Sequence, residues 1–508
     1  MATIEKYLYG AAVQGIQSFI FQTNKLKEIV GASEIVEEIC TTKFASIIED
    51  CTLDYKTAKE KLKADNNAIL FAAGNIKYVF YSREDCERAV RSFPKVVAKF
   101  APGITVSQAV VKFTDDNFET AVNELENRLR IQRNKAMQSQ TIGLMGIRRS
   151  RQTGMPVILD NMEESVADRL IGKAKKGDST LNLCKKAFGS DRVAKNIAYN
   201  VEDLTENNEW IAVIHADGNG LGQVVQKVGR NPEKFRKFSL ELDKSTIQAA
   251  VNAYQMLCEK YGFSDRDMIP IRPVVLGGDD LTVICRGDLA LEYTNNFIKE
   301  FERLTNENLG SLLIEERVFT GNIADRLTAC AGIAFIKSSF PFYYGYDLAE
   351  KLCSVAKKDT KHGLAEGELA KSCLMFHRVQ DSFVEDWNTI ANRELMPQKN
   401  LSFEFGPYYI TNAKESRWTI ETLMEKAALL KEKKEDGNAV KSHLRNWMSL
   451  LHNNEGQAQQ ALERLISRSL MKHYVEEITE WHNREAGKKV CPVYDILTIN
   501  SINNQKTK

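Results

Sequence analysis

The sequence predicts an α+β protein in which one order of elements, strand–helix–hairpin–helix–strand, occurs twice before a helical region. Three observations support this. Short segments with strand-like alternation lie between longer segments with helical spacing in the first ~135 residues. The same order returns from about residue 209, and from about residue 385 helical spacing prevails. The order of elements indicates an internal duplication, although sequence identity between the halves is too low to prove it.

In the first half, the pattern predicts strands at 7–13 and 104–113 and helices at 18–40 and 84–100. The segment AILFAAGNIKYVFY, residues 68–81, has a Gly-Asn pair between two apolar runs. Such a pair is typical of a tight turn, so this segment is predicted to be a hairpin.

The second half follows the same logic. Its predicted strands, hairpin and helices, in chain order, are 210–216 (strand), 239–261 (helix), 273–285 (hairpin), 289–305 (helix), 327–336 (strand), 345–358 (helix) and 374–378 (strand). Helical spacing then covers 419–434, 439–451 and 457–479.

These patterns divide the chain into four parts. Residues 1–138 form the first repeat, and 139–205, which are less periodic and rich in basic and small residues, form a connecting, partly helical segment. Residues 206–385 form the second repeat, and 386–508 form a C-terminal helical domain. A chain of 508 residues is too long for one core, which agrees with several domains.

Composition excludes some classes of protein. The 69 lysines and arginines nearly balance 68 aspartates and glutamates, so overall charge gives no argument for wrapping nucleic acid. The ten cysteines are scattered singly without a CxxC pair, which gives little support to a cysteine zinc site. The N-terminus lacks the pattern of a secretory signal, and no apolar run is long enough to span a bilayer. We therefore expect a cytoplasmic protein that does not bind membranes.

The second hairpin, RPVVLGGDDLTVICR at 272–286, places Asp279 and Asp280 after two glycines. A solvated surface turn is one interpretation. Against it, two adjacent carboxylates repel each other, and this repulsion raises the pKa of one of them. A divalent cation removes the repulsion, and Mg²⁺ prefers oxygen ligands of this kind.

A further carboxylate follows the preceding strand in IAVIHADGNGLG, residues 211–222, where Asp217 stands at the strand end. Alone, this Asp-Gly pair is typical of an Asx turn. Together with the later hairpin, it predicts that Asp217 and Asp279 converge between neighbouring strands, as in a two-metal nucleotidyl-transfer site. The loop after Asp217 exposes backbone N–H groups that can hold phosphate oxygens. Its candidate nucleotide-binding residues are Gly218, Asn219, Gly220 and Gly222.

The helix ending in AEKLCSVAKK, residues 349–358, supplies candidate cations. Lys357 or Lys358 could point back to a triphosphate. A solvent-facing helix with lysines at its C-terminus, which the helix dipole favours, is an equal alternative. His215 alternates onto the same strand face as Asp217, so it either borders the site or is a hydrogen-bonded core histidine.

These motifs resemble the cyclase-type palm domain, and most closely the large polymerase/cyclase subunit of type III CRISPR effector complexes. The segment GAAVQGIQSFIFQTNKLKEIVGASE, residues 10–34, resembles the opening block of that family. Residues 331–358 resemble its closing palm block, and SFEFGPYYI, residues 402–410, resembles the start of its C-terminal helical region. The resemblance covers roughly 1–135 and 206–450.

The resemblance implies two ferredoxin-like cyclase/polymerase palm domains that face each other, the first degenerate and the second carrying GGDD. The first hairpin has Ala72, Ala73, Gly74 and Asn75 at the corresponding turn. It lacks a carboxylate pair, so the first palm is expected to bind nucleotide weakly or to serve as a platform for the acceptor.

The sequence departs from the family in three ways. It contains no His-Asp dipeptide and starts directly at the first palm, so the HD nuclease domain and DNA cleavage are not expected. The segment between the palms has only Cys184, which makes the family's zinc module doubtful. Asn219 stands where the family often has an acidic residue. The metal site would then depend on Asp217, Asp279, Asp280 and the backbone carbonyl of Gly218.

The implied activity is 3′–5′ nucleotidyl transfer from ATP, with Mg²⁺ or Mn²⁺ as cofactor and a cyclic oligoadenylate second messenger as product. Gly277 and Gly278 would allow the acceptor to approach closely. The implied partners are guide RNA and sister subunits of a type III CRISPR complex, with target RNA as activator. Two alternatives stay open: a scaffold subunit of a guide-RNA ribonucleoprotein with an idle palm, and a stand-alone cyclase resembling diguanylate cyclases.

Overall fold

The computed structural model describes residues 5–21, 23–72, 74–101, 103–135, 146, 197–205, 210–264, 267–321, 323–380, 385–411, 417–432, 434–484 and 487–503. The predicted α+β class is confirmed: two main sheets are combined with many helices. Most of the predicted connecting segment, including Cys184, lies outside the described residues.

The first half contains a four-stranded antiparallel sheet. Its strands are β1 (Lys6–Gln14), β2 (Ala68–Ala72), β3 (Asn75–Phe80) and β4 (Thr105–Phe113), in the order β2-β3-β1-β4. The helices are α1 (Ile16–Ile20), α2 (Leu26–Glu38), α3 (Phe44–Ile48), α4 (Tyr55–Ala64), α5 (Arg83–Phe100) and α6 (Phe118–Asn134). Strand–helix–hairpin–helix–strand with this strand order is the split βαβ arrangement of ferredoxin-like folds.

Two predictions for the first half are wrong in detail. The helix predicted over 18–40 is interrupted between α1 and α2, where polar side chains bond elsewhere: Thr23 to Glu28, and Asn24 to the Phe342 backbone N–H at 3.1 Å. The hairpin turn is not Gly-Asn, because Asn75 already pairs with Ala72 as the first residue of β3. Gly74, with φ of 79°, therefore occupies the second loop position; residue 73 lies outside the described residues.

The second half forms a larger sheet. Its strands are β5 (Trp210–Gly218), β6 (Ile271–Gly277), β7 (Asp280–Arg286), β8 (Ala329–Lys337) and β9 (Cys373–Arg378). The order β6-β7-β5-β8 repeats that of the first sheet, and β9 then pairs parallel with β8. The helices are α7 (Glu202–Thr205), α8 (Leu221–Val228), α9 (Pro232–Tyr261), α10 (Ala290–Glu315) and α11 (Phe342–Lys361).

Local signals explain the long helix α9. The Asn231 side chain accepts hydrogen bonds from the backbone N–H groups of Glu233 and Lys234, and Pro232 begins the helix. Gly262, with φ of 71°, ends it. The predicted start at residue 239 is therefore too late, because the cap lies upstream.

Helix α11 packs unusually close to β8. A Cβ added to Gly332 would lie 1.9 Å from the carbonyl oxygen of Ala349. Only glycine allows the helix to approach the central sheet this closely. This close packing sets how far the residues of α11 lie from the sheet.

The C-terminal region is helical, as predicted, with two differences. It contains α12 (Trp387–Glu394), α13 (Ile420–Glu432), α14 (Lys434–Asn453), α15 (Glu455–Arg468), α16 (Lys472–Ile478) and α17 (Val493–Asn503). The single helix predicted over 457–479 is two helices, since the Met471 backbone N–H turns to the Ser469 hydroxyl, 3.0 Å away. Short strands were not predicted: β10 (Leu401–Ser402), β11 (Tyr408–Tyr409), β12 (His482–Asn483) and β13 (Lys489–Val490).

The C-terminal region joins the second sheet through β11, which pairs with β9, and through the buried helix α17. The phenol of Tyr408 donates a hydrogen bond to Asp495 on α17. Burial raises the pKa of Asp495 to about 7. No helix of the described part is long and apolar enough to cross a membrane.

We predict that Asp495 makes stability depend on pH. Its pKa is raised on folding, so its contribution is fully present below the unfolded pKa of about 4 and is lost as the pH rises to about 7, by about 1.4 kcal/mol per unit. The melting temperature of the wild type, relative to that of Asp495→Asn, should fall as the pH rises from about 4 to about 7. Above about pH 7 the difference between the two proteins should stay constant. The exposed Asp116→Asn variant should follow the wild type throughout; a constant difference for Asp495→Asn would contradict the prediction.

Candidate active site

Three carboxylates meet at the ends of β5 and β7. These strands pair antiparallel, and the last pair in register is Ala216 with Leu281. Asp217 and Asp280 are the next residues beyond that pair. Oxygen atoms of Asp217, Asp279 and Asp280 all lie within 4.8 Å of one another. The structure thus brings together Asp217 and Asp279, which the sequence predicted to converge, and places Asp280 beside them.

Burial and mutual repulsion oppose the simultaneous ionisation of the three carboxyl groups. Burial, reinforced by the charges of Asp280 and Asp217, raises the pKa of Asp279 well above its usual value. Burial and Asp217 raise the pKa of Asp280 to about 7, although Lys357 opposes the shift. A divalent cation would relieve this repulsion, and a cluster of hard oxygen donors fits Mg²⁺ or Mn²⁺.

Lys357 of α11 is the cation that contacts the cluster. Its ammonium forms an ion pair with Asp217 and donates a hydrogen bond to the Gly218 carbonyl oxygen at 2.9 Å. Burial opposes the charge of this lysine, but Asp217 outweighs burial and the pKa of Lys357 is raised. Lys358 is exposed, one residue further round the helix. Of the two candidate lysines, the structure brings only Lys357 to the carboxylates.

The glycines after Asp217 have different surroundings. A Cβ on Gly218 would lie 3.0 Å from the Cβ of Asp279, so a side chain there would displace the carboxylate. Gly220 has φ of 78° and precedes the first turn of α8, where a Cβ would lie 2.7 Å from Phe319. Gly222, in that first turn, faces open space. The predicted flexible loop is therefore short and leads directly into a helix N-terminus.

Asn219, in contrast, does not join the carboxylates. Its side chain is 1% exposed and donates hydrogen bonds to the Thr328 hydroxyl at 3.1 Å and to the Cys330 sulfur at 3.4 Å. The residue thus anchors the loop to the start of β8.

The GGDD turn is a two-residue hairpin loop. Gly277 pairs with Asp280, so Gly278 and Asp279 form the loop, and of the two glycines only Gly278 has positive φ, at 63°. Gly277 instead ends β6 as an ordinary strand residue. Two residues of α9 that the sequence analysis missed, Asp243 and Thr246, contact the turn. The sequence signal that could have indicated them is their i, i+3 spacing on a predicted helix, which places both side chains on one face.

A cavity of about 410 Å³ separates the two halves beside the carboxylates. Asp280 and His215 line it from the second half, and Gln17 and Gly74 line it from the first. His215 is also bonded to Thr282, 3.3 Å away, and burial lowers its pKa to about 4, so the imidazole is neutral near pH 7. His215 thus both borders the site and is a buried, hydrogen-bonded histidine, as the two interpretations of the sequence proposed.

The halves also contact each other across this cavity. The Gln17 amide donates to the Tyr346 hydroxyl at 2.7 Å, and Phe21 stacks on the Tyr346 ring with centroids 4.5 Å apart. The Ser33 hydroxyl bonds to the backbone carbonyl of Val274 in β6. The segment 10–34, whose motif was singled out in the sequence, therefore forms part of the wall of the site.

Comparisons with known proteins agree with this description. Residues 210–365 match the family model described as Cas10/Cmr2, second palm domain. The search of curated proteins found no match. The fold is similar to that of a chain in the crystal structure of the Csm1-Csm4 cassette in complex with pppApA, with a TM-score of 0.57, 14% identity, and coverage of 99% of this chain and 70% of that one.

Two further structures give similar values. The Csm1-Csm4 cassette in complex with cA4 has a TM-score of 0.55 at 13% identity, again with 99% and 70% coverage. The Csm1-Csm4 subcomplex in the type III-A CRISPR-Csm interference complex has a TM-score of 0.57 at 13% identity, with the same coverage. The predicted resemblance to the polymerase/cyclase subunit of type III CRISPR complexes is confirmed: in sequence over 210–365, and in fold over nearly the whole chain.

We predict that Gly218→Ala weakens divalent cation binding, because the new Cβ would push Asp279 away from the other carboxylates. An off-optimum position of one ligand should reduce Mn²⁺ affinity about tenfold or more, measured by electron paramagnetic resonance titration. Gly456→Ala, where the added Cβ meets only ordinary contact at 3.6 Å, is the matched control and should bind Mn²⁺ like the wild type. Equal affinities for both variants would contradict the assignment.

Proposed function

We propose that the protein is a metal-dependent nucleotidyltransferase that joins ATP through 3′–5′ linkages into a cyclic oligoadenylate. The observation that carries the proposal is the cluster of Asp217, Asp279 and Asp280, whose oxygen atoms lie within 4.8 Å of one another at the ends of two buried strands. The match of 210–365 to a palm-domain family supports it. So do the similar Csm1-Csm4 structures, which hold pppApA, cA4 and ATP.

The three carboxylates and the Gly218 carbonyl oxygen would hold Mg²⁺ or Mn²⁺, because they form a set of hard oxygen donors with too little positive charge nearby. When bound, two such ions lower the pKa of an attacking hydroxyl and stabilise the charge on the leaving phosphates. A protein general base is then unnecessary.

The chain's own residues would bind and orient the nucleotides. The ammonium of Lys357 lies beside Asp217, where it can neutralise a triphosphate held by the same carboxylates. Gly220 and Gly222 lie at the start of α8, where backbone N–H groups would suit phosphate oxygens. Gly277 and Gly278 leave room for the 3′-hydroxyl of the acceptor to approach the α-phosphate.

The acceptor would lie in the cavity between the halves. Its volume of about 410 Å³ is within the usual range for small-molecule sites. The first hairpin contributes Gly74 to its wall but has no carboxylate pair. This supports a division of labour in which the second palm activates the donor and the first, degenerate palm holds the acceptor.

We further propose that the chain works with sister subunits, guide RNA and an activating target RNA in a type III CRISPR complex. This rests on the resemblance and on the Csm1-Csm4 assemblies with similar folds. The alternative is a scaffold subunit whose palm is idle.

We predict that the purified protein converts labelled ATP with Mg²⁺ or Mn²⁺ into oligoadenylates resolved by mass spectrometry. Replacing Asp279 and Asp280 together by alanine should abolish the product because two metal ligands are lost. The exposed Asp116→Asn variant controls for loss of an acidic residue elsewhere. If wild type and double mutant are equally silent, even when copurified with native RNA and subunits, the scaffold alternative is correct.

We predict that Lys357→Ala lowers kcat/KM for ATP about 100-fold, as expected for loss of a charged group beside the transferring phosphate. The same change at the exposed Lys358 should have a smaller effect. Lys361→Ala, exposed in the last turn of the same helix, serves as the control. Steady-state kinetics of pyrophosphate release would measure all three, and a larger loss at Lys358 would refute the assignment.

A further inference from the structure

The two loop residues of the GGDD hairpin form a turn with one specific backbone conformation. Gly278 has φ of 63°, whereas the φ of Asp279 is not positive. Positive φ at the first loop residue alone is the type II′ pattern. In such a hairpin the N–H and C=O of the first loop residue lie outside the strand ladder, so they need partners elsewhere.

Helix α9 supplies both partners of Gly278. The carboxylate of Asp243 accepts from the Gly278 N–H at 3.3 Å, and the hydroxyl of Thr246 donates to the Gly278 carbonyl oxygen at 2.6 Å. The Thr246 hydroxyl also lies 3.0 Å from the Leu242 carbonyl within its own helix, so the contact to the turn is the shorter one. Thr246 is fully buried.

We propose that Asp243 and Thr246 are positioning residues that hold the Gly278–Asp279 peptide group in one orientation and thereby place Asp279 beside Asp217. Rotation of this peptide would convert the turn to type I′, which requires positive φ at Asp279, and aspartate tolerates that conformation. The sequence Gly-Asp alone therefore permits both turns. The contacts from α9 select the one in which the three carboxylates meet.

The first half of the protein contributes to the surroundings of Asp243, one of the two positioning residues. Burial raises the pKa of Asp243, and the positive charge of Lys59 of α4, which lines the same cavity, opposes this shift. Lys59 is itself fixed by Glu37 and by the Tyr55 hydroxyl, both at 3.0 Å. Asp243, which holds the turn, thus lines a cavity to which both halves contribute residues. For its effect on catalysis, this inference rests on the proposed function.

The test uses three threonine variants of the full chain. Thr246→Val keeps the shape but removes the hydroxyl, and Thr246→Ser restores it. Thr294→Val removes an equally buried hydroxyl that donates within α10, to the Ala290 carbonyl at 2.8 Å. Mn²⁺ affinity is read by electron paramagnetic resonance, and kcat and KM by pyrophosphate release from ATP.

We expect Thr246→Val to lower kcat about tenfold, the effect of one buried hydrogen bond, while KM for ATP stays within about twofold. Mn²⁺ binding should weaken several-fold in the same variant. Thr246→Ser should restore both to within about twofold of wild type, and Thr294→Val should change neither. If Thr246→Val fails to fold, Asp243→Ala, whose side chain lines the cavity, is expected to show the same losses.

Two results would overturn the inference. Mn²⁺ affinity in Thr246→Val equal to that in Thr294→Val would show that the hydroxyl does not place the carboxylates. Equal impairment of Thr246→Ser and Thr246→Val would assign the loss to packing. A wild type that binds Mn²⁺ but makes no oligoadenylate, even when copurified with native RNA and subunits, would contradict the proposed function instead. The Mn²⁺ titrations would still decide whether Thr246 positions the carboxylates.

Discussion

The antiparallel pairing of β5 with β7 is the constraint on which the rest of the site depends. With Ala216 opposite Leu281, Asp217 and Asp280 lie side by side near the ends of their strands. A slip of one residue would turn one of these strands over and send its carboxylate to the other face of the sheet. The slip is prevented by burial, since residues 211–216 and 281–285 are all buried. The apolar sheet therefore holds together three carboxylates that would otherwise repel each other apart.

The two halves share a strand order but contribute differently to the site. The second sheet supplies the carboxylates, whereas the first supplies a wall, through the contacts of Gln17 with Tyr346 and of Ser33 with Val274. Lys59 of the first half lines the same cavity as Asp243, which holds the turn. The segment 10–34 thus acts on the site from the opposite half, which explains how residues so far from GGDD in sequence can belong to the same functional unit. The domain boundaries and the assignment of both halves as palms stay predictions.

Sequence reasoning worked where chemistry is local. The strand-end aspartate and the hairpin aspartates were predicted to meet because strand ends and turns have strong residue signatures. It failed where a side chain's direction depends on packing. Lys357 and Lys358 differ by one position on a helix, and the way α11 packs on the sheet, close against Gly332, decides which one faces Asp217. Asn219 turns inward because Thr328 lies behind it, and the breaks within the predicted helices 18–40 and 457–479 depend on capping contacts made after folding.

The two hairpins place glycine differently, and this bears on whether the first could carry a carboxylate pair. In the first, Gly74 occupies the second loop position with φ of 79°; in the second, Gly278 occupies the first, with φ of 63°. Placing aspartates in the first hairpin at the positions of Gly74 and Asn75 would put a side chain at Gly74, where a Cβ would lie 2.4 Å from the Ile16 side chain. It would also leave glycine out of the loop position that Gly278 occupies in the second hairpin. A carboxylate pair in the first hairpin would therefore need a different turn and a repacked Ile16, so the two halves are not interchangeable by exchange of the turn residues alone.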